Sequence, residues 1–100
     1  LILINMKRAE AEALFELGRI EEGDRAFEAL IKKFPDSAWG YVGWGDMRGI
    51  FRPKDHVPFD YEKAEKIYRL GLERATENRE VILGRLKDLE KERKKHLSNQ

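Results

Sequence analysis

A chain of 100 residues with 20 Lys+Arg, 19 Asp+Glu and no Cys has room for one domain and a modest core, and it excludes a disulfide framework, a thiolate zinc site and a cysteine nucleophile. A formal net charge of +1 supplies no global electrostatic reason to bind nucleic acid or an anionic membrane. The composition, 39% charged and 41% hydrophobic, suits a soluble helical protein; no stretch approaches the about 20 apolar residues of a membrane span and no secretory leader is visible, so the cytoplasm is the expected compartment.

The chain opens on Leu1-Ile2-Leu3-Ile4 with no initiator Met. Four aliphatic residues at a terminus imply a surface to dock on. The expectation is a piece of a longer polypeptide whose Leu1, Ile2, Leu3 and Ile4 pack on the domain, on a second copy or on an upstream helix. The first periodic segment runs from Asn5 to Leu17, with Met6, Ala9, Ala13 and Leu17 as its inner face, and Gly18 ends it. A second begins near Glu21, carries Ala26, Phe27, Leu30, Ile31 and Phe34, and stops at Pro35. Together they read as an antiparallel helical hairpin.

Asp36 or Ser37 caps a third segment. Its glycines, Gly40, Gly43, Gly45 and Gly49, would each weaken an isolated helix by about 1 kcal/mol. Tyr41, Trp44, Met47 and Phe51 nevertheless follow helical spacing, and small residues let neighbouring backbones approach. Two prolines make 52–59 a loop. Asp60 caps a fourth helix to about Ala75, with Ala64, Ile67, Tyr68, Gly71 and Leu72 inward. A fifth runs from Arg79 to about Lys95 on a thin stripe of Ile82, Leu86 and Leu89, and residues 98–100 fray.

Self-similarity links these segments. Phe27 matches Tyr68 and Leu30-Ile31 matches Gly71-Leu72, both 41 positions apart, while Ala11 matches Gly45 at 34. Without about seven loop residues the longer offset becomes about 34, the tetratricopeptide period. Over nearly its whole length the chain resembles a tetratricopeptide-repeat domain. Tyr41, Trp44-Gly45 and Arg48 stand at the first-helix positions of that family. Gly23, Phe27, Leu30 and Pro35, then Ala64, Tyr68 and Gly71, stand at its second-helix positions. Arg48 replaces an aromatic, Leu30 replaces a small residue, and no proline follows Ala75. The resemblance implies an all-α helix-turn-helix solenoid: repeat one over 5–35, repeat two over 37–75, a capping helix over 79–95, about five helices in a single domain over 1–97. The segment 34–47 is also similar to bacterial proteins that join such repeats to a cysteine-rich SEC-C zinc motif, which implies the helical part without the metal part.

Family members line a concave groove with their first helices. Carried onto this chain, that face holds Asn5, Arg8, Glu12 and Phe15; Trp39, Val42, Asp46, Gly49 and Ile50; and Glu80, Leu83, Lys87 and Lys91. The implied function is a scaffold that binds a peptide, helix or protein, because Trp and Arg anchor such interfaces. Glu12 and Asp46 would repel a carboxylate, which excludes the chaperone-tail specialisation. The other readings are a helical accessory or oligomerisation region of a larger metal- or nucleic-acid-associated protein. Seven basic residues on the fifth helix against four acidic ones read as a solvated helix. Arg48, Arg52 and Lys54 form a candidate basic patch beside a loop tucked in by Phe51, Val57 and Phe59. His56 and His96 lack partners at ligand spacing, Ser37 reads as a cap rather than a nucleophile, and the glycines lack a phosphate-loop pattern. No enzyme, metal or cofactor is expected.

Overall fold

The computed structural model, which describes residues 2–98, contains α1 (Ile2–Glu16), α2 (Ile20–Lys33), α3 (Ala38–Arg48), α4 (Tyr61–Arg74) and α5 (Arg79–Ser98). The chain is all-helical; no strand occurs among the described residues. None of these helices is long and apolar enough to cross a membrane.

Local chemistry sets the helix ends. Gly18 follows α1 at φ +78°, a left-handed conformation that costs a glycine little. The Ser37 hydroxyl accepts from the Trp39 amide at 3.3 Å, and the Asp60 carboxylate accepts from the Lys63 amide at 3.0 Å. Each satisfies an amide that the first helical turn leaves without a partner. No proline closes α4; the Arg79 guanidinium does it instead, donating to the carbonyls of Leu72 and Ala75.

The short α3 is the centre of the fold. It packs against each of the other four helices, and Gly40 through Met47 are all buried. Its glycines are filled space. The Phe27 ring and the Arg8 methylenes lie where a Cβ on Gly43 would stand, and the Tyr68 ring occupies that place at Gly45. Burying a ring of that size contributes about 1.5–3 kcal/mol, which offsets the propensity lost at the glycine beneath it. Phe27 also stacks on Trp44 with centroids 6.4 Å apart and planes 6° apart.

One contact is made twice. Phe15 lies against Gly23 across the α1–α2 hairpin, and Gly49, 34 positions after Phe15, lies against Ala64, 41 after Gly23. The turns that end the two hairpins are bonded to each other. Ser37 pairs with Glu77 in an isolated parallel bridge, and the Asp36 carbonyl accepts the Thr76 amide at 2.9 Å.

Three expectations need correction. The inner face of α1 is Ile4, Ala11 and Phe15, not Met6, Ala9, Ala13 and Leu17; Met6 is 57% and Leu17 67% exposed. Both stripes have helical spacing, but only the first meets glycines, Gly23 and Gly43, that leave room for Phe15 and Arg8. Helix α3 ends at Arg48, so Phe51 falls in the connection and is 54% exposed rather than tucked in. Helix α5 continues to Ser98 instead of fraying there; residues 99 and 100 lie outside the described residues. Leu1 and the Ile2 side chain also lie outside them, while Leu3 is exposed and Ile4 buried.

The glycine packing has a measurable consequence. Gly45→Ala places a methyl against Tyr68 and is expected to lose about 1–2 kcal/mol by overpacking, even after its gain in helix propensity. Gly84→Ala meets nothing within 4 Å and is expected to gain about 0.5–1 kcal/mol. Urea unfolding of both variants measures the contrast, and shifts of the same sign would contradict it.

Candidate binding face

Helix α3 lies between α1 and α5 and packs against both. Arg8 reaches across from α1. Its stem rests on Gly43, its guanidinium carbon stands 5.5 Å from the centre of the Trp39 ring, and its Nε lies 3.8 Å from Glu12. That separation is too long for a hydrogen bond, and Arg8 Nε is a buried donor with no hydrogen-bond partner among the described residues.

Beyond Glu12 lies Asp46, 8% exposed on α3. It accepts from the Tyr68 hydroxyl of α4 and, at 2.9 Å, from Arg85 Nε of α5. Arg85 in turn lies 5.0 Å from the centre of the Phe51 ring. The face therefore sets two adjacent carboxyls, Glu12 and Asp46, between two arginines, Arg8 and Arg85, with an aromatic ring beside each arginine.

Burial dominates the titration of these groups. It pushes the Asp46 carboxyl above its ordinary range, against the opposing pull of Arg85, Tyr68 and Arg8. Glu12 is also raised, first by burial and further by the charge of Asp46, with Arg8 opposing. The Tyr68 phenol is raised by burial and then by the neighbouring Asp46 carboxylate, so it stays a hydrogen-bond donor.

The structure brings Arg8, Glu12, Trp39 and Asp46 together as expected, and separates others. Phe15, 0% exposed, and Val42, 2% exposed, are core residues rather than groove residues. Phe15 packs on Phe27 with centroids 6.0 Å apart. Leu83 and Lys87 turn away from Arg8 and Trp39, into a cleft between α4 and α5 that also holds Tyr61. Arg85, on the stripe of Ile82 and Leu89, is the α5 residue that reaches Asp46, and the sequence reading missed it. Its spacing three after Ile82 and four before Leu89 was the available signal; its charge hid it.

The candidate patch of Arg48, Arg52 and Lys54 does not assemble. Arg48 turns inward to Asp24 at 3.5 Å and Asp60 at 3.7 Å. Arg52 closes its own loop, donating to the carbonyls of Val57 and Gly49 at 3.1 Å each. Lys54 is left exposed by itself. His96 stacks on Phe59, centroids 4.3 Å apart, and so fastens the end of α5 to this loop. Among the described residues no three His, Cys, Asp or Glu side chains converge as a metal site would require.

The raised Asp46 carboxyl binds its proton more tightly folded than unfolded. Stability carried by this group therefore falls as pH rises from its ordinary value, 3.8, through the raised one. Relative to Asp46→Asn, the wild type is expected to lose stability over that interval; urea titrations at successive pH values follow the difference. A wild type that gains on the variant as pH rises would reverse the assignment.

Comparison with protein-family models, curated proteins and solved structures finds no match to this chain.

Proposed function

We propose that the chain is a protein–protein interaction scaffold. In this reading it is a solenoid of two tetratricopeptide-like repeats and a capping helix, and the face of α1, α3 and α5 receives a peptide, helix or protein in the cytoplasm. The carrying observation is the juxtaposition of Arg8, Trp39 and Glu12 on a partly open face whose supporting side chains, Asp46, Tyr68 and Arg85, are held by hydrogen bonds. A fixed support lowers the entropy lost on binding, and Trp and Arg are the side chains that anchor interfaces. The solenoid is supported by the repeated Phe15–Gly23 and Gly49–Ala64 contacts. It is supported too by packing that joins each helix only to helices one or two along the chain.

Selection from a random displayed-peptide library tests the proposal. Selected peptides are expected to lose at least about tenfold in affinity to Trp39→Ala, whose fold loses little. Its melting temperature should move by less than about 4 °C, the equivalent of about 0.5 kcal/mol. Unchanged peptide affinity would remove Trp39 from the site, and a large fall in melting temperature would make it a core residue.

A second reading, self-association, is favoured by one observation. Leu3 and Met6 on α1 and Leu17 just after it are exposed, and a second copy of the chain would cover them. Sedimentation equilibrium should then show a dimer that Met6→Glu and Leu17→Glu dissociate. A monomer of 11.8 kDa at every concentration would dismiss it.

A further inference from the structure

We draw no further inference here: the strongest candidate, the cleft between α4 and α5 in which Leu83 stands exposed, carries nothing, because Tyr61, Arg69 and Arg93 already engage the Glu65 and Glu90 carboxylates at its rim and nothing in the structure shows what covers its apolar wall.

Discussion

Everything in this fold depends on how closely other helices approach α3. Two aromatic rings, Phe27 from α2 and Tyr68 from α4, lie directly on glycines of that helix. A Cβ at either glycine would push the ring outward and open a gap in a core packed to the density of an organic crystal. The same close approach brings Asp46 under Tyr68 and places Arg85 within hydrogen-bond distance of its carboxylate. The polar network and the apolar core are consequences of a single steric allowance.

That arrangement explains how a helix with poor intrinsic propensity survives. An 11-residue helix containing three glycines would not persist alone in water. Here nearly every position is covered by a neighbour, so tertiary burial replaces propensity as the source of stability. Burial raises the Asp46 carboxyl, while the Arg85 guanidinium, against the lowering effect of its own burial, is raised by the same carboxylate, and what the network adds is orientation. What it orients is the central part of the face that also carries Arg8 and Trp39.

The charges divide into two populations. Arg48, Arg52 and Arg85 are committed within the molecule, to Asp24 and Asp60, to loop carbonyls and to Asp46. Lys32 and Lys66 are exposed and Lys63 is half-buried beside the Trp44 ring, with the acids Glu28, Asp60 and Glu62 three or four positions from them. Arginine suits the first role because its planar fork meets several acceptors at once, and lysine suits the second as a mobile point charge. Net charge hides this division, since +1 is the sum over both groups.

Periodicity, caps and the 34-residue self-similarity sufficed to read five helices from the sequence, with Ser37, Asp60 and Gly18 at their boundaries. These signals are local, carried by side chains within a turn of the backbone they satisfy. Phe27, Trp44, Tyr68 and Ile82 were legible as core for the same reason. Which face of α1 turns inward was not local. Met6-Ala9-Ala13-Leu17 and Ile4-Ala11-Phe15 are both helical stripes, and only the positions of Gly23 and Gly43 on other helices choose between them. Half of the candidate face was likewise anticipated, since the resemblance to tetratricopeptide repeats implies that Arg8, Glu12, Trp39 and Asp46 lie on it. Placing Arg85 on Asp46 and turning Arg48 inward required knowing which helices become neighbours. Sequence determined the elements because hydrogen bonds and caps act over a few residues; tertiary structure decided the pairings because burial and charge act between residues 20 to 40 positions apart, as the Trp44–Asp24 and Arg85–Asp46 contacts do.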